Sequence, residues 1–534
     1  MFVNKTLSTS MALALALGAG ACGRIANVNL TLVEPCNQRD QALNGVQTYQ
    51  VSVEGTDVGD GAVNTFTSKG GDSTLRVAQL VEDAVVRVRA WEGDADADPA
   101  ILNEVPKSIG STPPLRIDER TSDMDLVLTM GKRDSVGEVT AADGSCQSMV
   151  NGASVPGRHG HTATFVPSIN KVLVVGGAVF AEDPQSGARG ETYLKSVELY
   201  DPTTGTFTQL PEMPTTRAYH TATALPDGRV LVVGGFGVIG GVVSTLTTGM
   251  IYDPAASEAE PYVTVPFWQQ RALHTAVLLE DRQLVAILGG CDGPGCRPNG
   301  IQANGTGAGT DPTDLLYTVE VFDIVNNVVV PQAGLLDTPR ALHAASALEG
   351  GRVVISGGVR TNGPVCTVEI LQSSGAELVA MEEPGQATFT ACPVRHTQVT
   401  LGRDRVAFIG GQTQAAGGIP QGVGSTQVVF WNTSIGIEAL QASMLTGRAG
   451  HVSAMLENGQ ILILGGTISA QGATAERLVP QGSSYQAETL DGPPLSTARE
   501  RMAAAALPNG QIFVSGGHDS TLVTSERAEI YFGN

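Results

Sequence analysis

The chain has 534 residues, of which 65 are Gly and only 16% are charged, and its formal net charge is −21. A chain of this length exceeds one ordinary compact domain, so we expect two folded parts. The negative charge disfavours binding to nucleic acid phosphates, and abundant Gly with few charges suits many short strands joined by turns.

The first 22 residues have the pattern of a targeting segment. Lys5 gives a weakly basic start, and residues 11–17 form an apolar run too short to span a bilayer. Ala19-Gly20-Ala21-Cys22 is similar to a bacterial lipoprotein cleavage site, although Ala19 stands where Leu is usual. We predict export with Cys22 as the lipidated first residue and no other membrane contact. The alternative is an ordinary signal peptide cleaved near Ala21.

Residues 23–132 predict a small β-domain. Short alternating runs such as residues 85–90 (VVRVRA) are typical of strands with one wet face, and polar turns separate them. About seven such runs in about 100 residues predict an immunoglobulin-like sandwich. Asp94, Asp96 and Asp98 resemble the opening of a calcium loop, but Pro99 stands where such a loop needs Gly. A solvated acidic turn is therefore favoured over calcium binding.

After a predicted linker at 133–143, one unit recurs to the end of the chain. Seven Gly-Gly pairs, each after an aliphatic run, follow one another at intervals of 51 to 68 residues. The pairs begin at Gly176, Gly234, Gly289, Gly357, Gly410, Gly465 and Gly516. In most units Arg-x-x-His lies 17 or 18 residues earlier, at Arg158/His161, Arg217/His220, Arg271/His274, Arg340/His343 and Arg448/His451. Such a period predicts a solenoid or propeller, because no unit can bury both its faces alone.

The strand after most Gly pairs carries an aromatic residue. These residues are Tyr200, Tyr252, Phe322, Trp431 and Tyr531, with Leu371 and Leu478 departing from the pattern. Together with the Gly pairs, this pattern resembles the kelch-repeat β-propellers of bacteria over residues 144–534, although the fourth-strand Trp of the family is mostly missing. The resemblance implies an all-β fold: a seven-bladed kelch-type β-propeller preceded by the immunoglobulin-like sandwich. The last unit ends after its third strand, so we expect residues 145–151 to supply the fourth.

Seven cysteines are present, and removal of Cys22 leaves six. Export makes disulfides plausible, and sequence proximity with the predicted blades favours three pairs. The pairs are Cys36–Cys146, Cys291–Cys296 and Cys366–Cys392. A metal site is the competing interpretation, but there is no Cys-x-x-Cys pair and no neighbouring His cluster. We predict no metal and no cofactor.

One face of the propeller should combine the long loops after the Gly pairs with the repeated Arg residues. The candidates for a ligand face are Arg158, Arg217, Arg271, Arg340, Arg395, Arg448, Arg499 and His518. The recurrence of Arg and His in most units favours a structural role, with each Arg bonding carbonyls or a carboxylate of the adjacent blade. Function is expected where the repeat breaks, as at Pro393, which replaces the Arg, and at Met502, which replaces the His and follows Glu500 and Arg501.

Reaction motifs such as Gly-x-Ser-x-Gly and His-Glu-x-x-His are missing from the sequence. We predict an exported, lipid-anchored scaffold of the cell envelope, in the outer membrane or outside it, that acts as a monomer and binds a surface protein or glycan. A carbohydrate-active or galactose-oxidase-like copper enzyme is one alternative, although its copper ligands cannot be matched residue by residue. A purely structural envelope protein is the other.

Overall fold

A computed structural model describes most of the chain. The described residues are 9–17, 24–38, 41–54, 62–67, 74–77, 81–95, 97–117, 124–141, 143–149, 157–182, 189–257, 260–293, 296, 314–361, 363–381, 388–389, 391–414, 425–438, 442–466, 475–492 and 494–533. Cys22 and Asp96 lie outside them. Within this part of the chain, no helix has both the length and the apolar character needed to cross a membrane.

The first part of the chain folds into two β-sheets. Its strands are β1 (Thr9–Leu17), β2 (Arg24–Val33), β3 (Thr48–Glu54), β4 (Ala62–Thr67), β5 (Thr74–Val77), β6 (Val81–Trp91), β7 (Ser108–Ser111), β8 (Leu115–Ile117), β9 (Met124–Thr129) and β10 (Gly131–Lys132). One sheet has the order β5-β1-β2-β9, and the other has the order β10-β7-β6-β3-β4 with β8 beside β6. Short 3-10 helices span Cys36–Gln38 and Pro99–Asn103.

The alternating pattern of β6 places one side in the core. Val86 and Val88 are buried, whereas Arg87 and Arg89 both pair with the Glu54 carboxylate, at 3.0 and 3.3 Å.

The acidic stretch that follows β6 is a turn. The Asp98 carboxylate accepts a hydrogen bond from Ala100 N at 3.0 Å and so caps the 3-10 helix.

The rest of the chain is a series of antiparallel strands. They are β11 (Ser135–Glu138), β12 (Thr162–Val166), β13 (Lys171–Val175), β14 (Ala178–Glu182), β15 (Arg189–Tyr193), β16 (Val197–Asp201), β17 (Thr206–Leu210), β18 (Thr221–Ala224), β19 (Val230–Val233), β20 (Phe236–Ile239), β21 (Val242–Tyr252), β22 (Tyr262–Arg271), β23 (Thr275–Leu279), β24 (Leu284–Leu288), β25 (Thr318–Asp323), β26 (Val328–Leu335), β27 (Ala344–Leu348), β28 (Arg352–Ser356), β29 (Val359–Arg360), β30 (Gly363–Pro364), β31 (Val368–Ser374), β32 (Glu377–Ala380), β33 (Cys392–Val394), β34 (Thr397–Thr400), β35 (Arg405–Ile409), β36 (Gln412–Gln414), β37 (Ser425–Asn432), β38 (Gly436–Ile437), β39 (Ala442–Arg448), β40 (Val452–Met455), β41 (Ile461–Leu464), β42 (Ala475–Gln481), β43 (Ser484–Thr489), β44 (Ala503–Ala506), β45 (Ile512–Ser515) and β46 (Ala528–Phe532). Short 3-10 turns at Pro167–Ile169 and Glu280–Arg282 join two of the pairs.

In the described residues these strands form seven principal sheets, which we number in chain order. Sheets 1 to 7 have the orders β12-β13-β16-β17, β18-β19-β21-β22, β23-β24-β25-β26, β27-β28-β31-β32, β34-β35-β37-β39, β40-β41-β42-β43 and β44-β45-β46-β11. β20 and β38 also pair with the third strands of sheets 2 and 5. We call the end of the sheets that bears the Gly pairs the upper face, and the opposite end the lower face.

Each Gly pair allows two neighbouring chain segments to approach closely. Gly234 and Gly235 have φ values of 60° and 94°, a region that side chains disfavour. A Cβ atom on Gly234 would lie 2.4 Å from the Arg271 carbonyl oxygen, and one on Gly235 would lie 2.6 Å from that of Ala218. Gly is therefore required here for both conformation and contact.

Apolar layers join each sheet to the next, and the last sheet to the first. Leu231 and Ile251 of sheet 2 pack against Val285 of sheet 3, as is typical of the other neighbouring pairs. The closing layer includes Tyr200 of sheet 1 and Phe513 of sheet 7, whose rings stack at 4.7 Å. The described sheets thus cover one another in a closed sequence, and this covering buries both faces of each.

A closed circle of backbone hydrogen bonds lies where the connections enter the first strands. Its members, which we call the inner ring, are Gly160, Tyr219, Leu273, Leu342, Arg395, Gly450 and Arg501, all with φ between 54° and 64°. The N–H of each donates to the carbonyl of the previous member, and Gly160 N returns to Arg501 O, at distances from 2.7 to 3.4 Å. Five members are not Gly, and the left-handed conformation costs each of these roughly 1–2 kcal/mol.

The fourth strand of sheet 7 is not where the sequence predicted it. We expected residues 145–151, with 133–143 as a linker, but the strand that pairs with β46 is β11, Ser135–Glu138. In the expected stretch, Ser148 forms an isolated bridge with Arg527, and Met149 is buried. The sequence of β11 is short and includes a Gly, so it carries no apolar run that would mark it as a strand.

Asp134 fixes this closing strand in place. Its buried carboxylate accepts hydrogen bonds from Tyr531 Oη at 2.6 Å, Arg477 Nη1 at 2.6 Å and Asp491 N at 2.8 Å. All three partners lie near the end of the chain. Asp134 therefore joins the start of β11 to sheets 6 and 7.

Three cysteine pairs lie at disulfide distance, with the pairing named from the sequence. The Cα–Cα distances are 5.7 Å for Cys36–Cys146, 5.5 Å for Cys291–Cys296 and 4.3 Å for Cys366–Cys392. The first pair joins the N-terminal part to the segment just after β11.

The N-terminal part packs against sheet 7. Gln38 Nε2 donates to Ser135 Oγ at 2.9 Å, and Glu138 N donates to Asn37 Oδ1 at 2.9 Å, so both contacts are to the outer strand β11. Asn509, in a lower turn of sheet 7, contacts Ser111 O at 3.4 Å.

Candidate binding face at the centre of the upper side

The repeated Arg residues lie inside the protein and not on a ligand face. Those that begin the units are at most 3% exposed: Arg158, Arg217, Arg271, Arg340, Arg448 and Arg499. Arg158 Nη1 donates to the Gly176 carbonyl at 2.9 Å, and its Nη2 lies 3.1 Å from Glu198. Both partners belong to sheet 1, which Arg158 itself introduces. The prediction that each Arg bonds the adjacent blade is therefore wrong, because the side chain turns back toward the Gly carbonyl at the end of its own second strand.

The carboxylate partner sits on the third strand and also binds the incoming connection. Such a Glu occurs at Glu198, Glu320, Glu369, Glu476 and Glu529. In the last four, it accepts the N–H of the residue three positions before the Arg. These donors are Trp268, Asp337, Leu445 and Ser496, at 2.6 to 2.9 Å. We call this arrangement the connection clamp, because it fixes each connection to the sheet that follows.

Where the Glu of the clamp is missing, one of the groups that it would bind is missing too. Sheet 5 has Pro393 in place of the Arg and Val429 in place of the Glu, so no buried charge is left alone. In sheet 2 the donor position is Pro214, which has no N–H, and Met250 replaces the Glu. Among the described residues, Arg217 then has no carboxylate partner: it donates to the carbonyls of Gly234 at 2.7 Å and Thr248 at 2.9 Å and to the Thr248 hydroxyl at 3.5 Å, and burial lowers its pKa to about 10.

The repeated His residues join neighbouring sheets. Nε2 of His220, His274, His343 and His451 lies 2.9 to 3.0 Å from a Thr hydroxyl on the first strand of the preceding sheet. In sheets 4 and 7 the Thr position holds Ala344 and Ala503, and a Ser on the second strand supplies the hydroxyl instead. His396 then contacts Ser356 at 2.7 Å, and His161 contacts Ser515 at 2.9 Å. Met502 replaces the seventh His, and Val452 replaces the hydroxyl beside it.

A second set of polar side chains converges where the inner ring meets the upper face. We call Tyr219, Arg395, Arg501, Glu191, Glu500, His159 and His518 the mouth cluster. The Tyr219 hydroxyl donates to Glu191 Oε1 at 2.7 Å and lies 3.2 Å from His159 Nδ1. Arg501 donates to the same hydroxyl, and its guanidinium carbon lies 5.4 Å from the centre of the Tyr219 ring.

The rest of the mouth cluster centres on the ion pair between Arg395 and Glu500, which lies directly beside Gly450. Arg395 Nη2 lies 3.2 Å from Glu500 Oε2, and His518 Nε2 lies 3.5 Å from Glu500 Oε1. A Cβ atom on Gly450 would stand 3.3 Å from both partners of the Arg395–Glu500 pair. Gly160 makes similar room for the Tyr219 ring. The two Gly members of the inner ring therefore admit the long side chains of the others.

The mouth cluster offers both donors and acceptors to a ligand. The side chains of Arg395, Glu500 and Arg501 are 16–19% exposed, whereas His159 and His518 are buried. Burial, with a contribution from His518 and Arg501, lowers the pKa of His159 to about 2, so this imidazole is neutral. On the opposite side of the inner ring, Leu273 and Leu342 pack with Ala272 and Phe236 in an apolar sector.

The family comparison agrees with this geometry. Residues 157–214 match the family described as Kelch motif. With the all-β architecture, the match supports a kelch-repeat β-propeller. A search of curated proteins finds no match.

Of the eight ligand-face candidates, the structure brings two to the mouth of this kelch propeller, Arg395 and His518. The other six are the buried Arg residues that begin the units. The sequence reasoning missed Tyr219, Glu191 and His159 as site residues, and it named Arg501 only as a break in the repeat. For Tyr219 and Arg501, the signal in the sequence was their position just before the repeated His or its replacement. This position varies between units, and its residues form the inner ring. In the described residues, no three His, Cys, Asp or Glu side chains are grouped so as to hold a metal ion.

Acid should destabilise the kelch repeats through their buried His residues. Burial lowers the pKa of His396 and His451 to about 3, and those of His161, His220, His274 and His343 well below 6.5. The unfolded chain binds these protons near pH 6.5, so it holds more protons than the folded chain between pH 6.5 and 3. Stability therefore falls as the pH falls, by about 1.4 kcal/mol per pH unit for each such His.

The measurement is the free energy of unfolding in urea between pH 4 and 7. Thr162→Val combined with His220→Met copies the natural Val452 and Met502 pair. We expect this double variant to lower the pH slope by about one proton. An unchanged slope would show that His220 does not stay neutral in the folded protein.

In sheet 4, Ser356 supplies the hydroxyl that a Thr on the first strand supplies in most other sheets. This difference allows a rescue experiment. Ser356→Ala should leave His396 Nε2 without its hydroxyl and lower the free energy of unfolding by about 1–3 kcal/mol. Adding Ala344→Thr, which restores the arrangement of the other sheets, should recover most of that loss. Ser483→Ala, at an exposed position, is the control. If Ala344→Thr changed the parent and the Ser356→Ala variant by equal amounts, the two sites would not be coupled.

Proposed function

We propose that this chain is an exported, lipid-anchored scaffold of the cell envelope whose upper face binds a surface protein or glycan. Kelch repeats suggest a protein-interaction scaffold. The observation that carries the proposal is the mouth cluster, where the repeat gives way to charged and aromatic side chains at a single place.

The proposal includes a particular domain arrangement. The N-terminal part is an immunoglobulin-like sandwich, and the kelch part is a seven-bladed propeller that begins at β11. The two-sheet topology supports the first of these, and the closed inner ring supports the second. The protein acts as a monomer without nucleic acid partners, in keeping with its charge of −21.

Export is supported by the N-terminal sequence pattern and by the cysteine pairs. Disulfide bonds persist mainly in oxidising compartments outside the cytoplasm. The three pairs lie in different parts of the chain, and one joins its two folded parts. Cleavage before Cys22 would remove β1, which pairs with β2 along its whole length, so the mature first sheet would consist of the remaining strands.

The copper enzyme alternative requires a Cys linked to a Tyr. All six described cysteines are in disulfides, so none is joined to Tyr219. Of the proposals considered, the scaffold is the one that uses the arrangement of the mouth cluster.

The test of the binding face removes an ion pair whole, so that neither charge is left alone. Arg395→Ala with Glu500→Ala should reduce crosslinked capture of an envelope partner by the purified protein at least about tenfold. The matched control is Arg403→Ala with Glu349→Ala, an exposed pair at 3.0 Å in the lower turns. The assignment of the upper face would be contradicted if both double variants lost capture equally. It would also be contradicted if the Arg395/Glu500 double variant captured the partner as well as the parent does.

Lipidation is tested separately through the mass of the mature protein. In a diderm bacterial host, the parent should lose residues 1–21, gain the mass of acyl chains and enter the detergent phase. Cys22→Ser should abolish both the acyl mass and the partitioning, because the thiol is the acylated atom. Purified protein that keeps residues 9–17 would show that β1 belongs to the mature fold.

A further inference from the structure

The donor position of the connection clamp uses only its backbone, so the fold leaves its side chain free. In other connections this position holds Pro214, Asp337, Leu445 and Ser496. Between sheets 2 and 3 it holds Trp268, which is 71% exposed, whereas Trp91 and Trp431 are buried. Packing does not require an aromatic residue here, and an exposed Trp is costly in water.

A β-bulge directs this side chain outward. In the ladder between β21 and β22, Leu246 pairs with Arg271 and Thr248 pairs with Pro266, so four residues of β22 stand opposite one of β21. Within the bulge, Phe267 turns inward and packs on Gly249. Trp268 N is fixed to Glu320 Oε1 at 2.7 Å, so the backbone is anchored while the indole is exposed.

A second exposed aromatic residue flanks the same clamp. Tyr317, which is 48% exposed, directly precedes β25 and is one residue before Thr318. Arg271 Nη1 donates to the Thr318 carbonyl at 3.3 Å, and its Nη2 donates to Glu320 at 2.7 Å. The backbones of Trp268 and Tyr317 therefore both adjoin one buried ion pair, Arg271–Glu320, at the upper rim.

The polar side chains near the same clamp include an amide and a carboxylate. Gln269, next to Trp268, donates to the Asp292 carboxylate. Asp292 N donates in turn to the Asp314 carbonyl at 2.8 Å. Such groups can accept and donate hydrogen bonds to hydroxyls, while the negative charge of the carboxylates repels anions.

We propose that Trp268 and Tyr317 form a platform for a neutral glycan. The apolar C–H faces of a sugar ring stack on aromatic faces, and its hydroxyls bind the neighbouring amide and carboxylate oxygens. The carboxylates disfavour acidic sugars. This inference rests on the proposed function and deepens it, because it names the class of ligand and a location on the rim that differs from the mouth cluster.

Tryptophan fluorescence tests the platform directly, since Trp268 is the exposed one of the three. The probes are cellohexaose, chitohexaose and laminarihexaose as neutral sugars, with trigalacturonic acid as the acidic sugar. We expect a saturable blue shift with at least one neutral hexasaccharide and none with the acidic sugar. Isothermal titration should show binding weakened at least about tenfold by Trp268→Ala and by Tyr317→Ala. Val325→Ala, an exposed position in the lower turn of sheet 3, should bind as the parent does.

Three results would overturn the platform: no shift with any of the three neutral sugars, a stronger response to the acidic sugar, or a shift only with phosphatidylcholine vesicles. The last result would assign Trp268 to a lipid surface. If sugar binding failed while capture still depended on Arg395 and Glu500, only this inference would fall. If sugar bound at Trp268 but capture of the envelope partner did not depend on Arg395 and Glu500, the mouth assignment would fall instead.

Discussion

The circle of backbone hydrogen bonds in the inner ring is the constraint on which the rest of the kelch part depends. Each member takes a left-handed conformation, which turns the chain sharply from an incoming connection into a first strand. Since each N–H binds the carbonyl of the previous member, the position of one turn fixes the next. The circle therefore places seven variable positions around one axis, and the mouth cluster arises from three of them.

The connection clamp and the His contacts secure this circle from outside. The clamp buries an Arg and, in most sheets, a Glu, and a buried charge is stable only when a partner charge or hydrogen bonds compensate for its lost hydration. Sheet 5 has lost both, and sheet 2 has lost the Glu together with the N–H that the Glu would bind. The His contacts show the same compensation, because a Ser appears where the Thr is missing. Within one chain, these paired replacements indicate that the groups act together.

Much of the kelch architecture could be predicted from the sequence because the repeat multiplies each weak signal. The Gly pairs, the aliphatic second strands and the buried aromatics all stand where the pattern placed them. The pattern could not show β11, because its anchor at Asp134 depends on partners such as Arg477 and Tyr531 that lie far along the chain. The direction of the Arg side chains was also hidden, since the sequence alone does not say whether a fork reaches its own sheet or the next. The mouth cluster went largely unrecognised because Tyr219 and Glu191 meet only through the folded backbone.

The position of β11 determines when the ring can form during synthesis. β11 and its neighbour β46 lie at opposite ends of the kelch part, and Asp134 and Tyr531, which bond beside them, are 397 positions apart. A chain that has not yet reached β46 therefore lacks the third strand of sheet 7, and Asp134 has no Tyr531 to bind. A contact of such long sequence separation carries a loop-closure cost that local contacts do not, so we expect this closure to come late in folding.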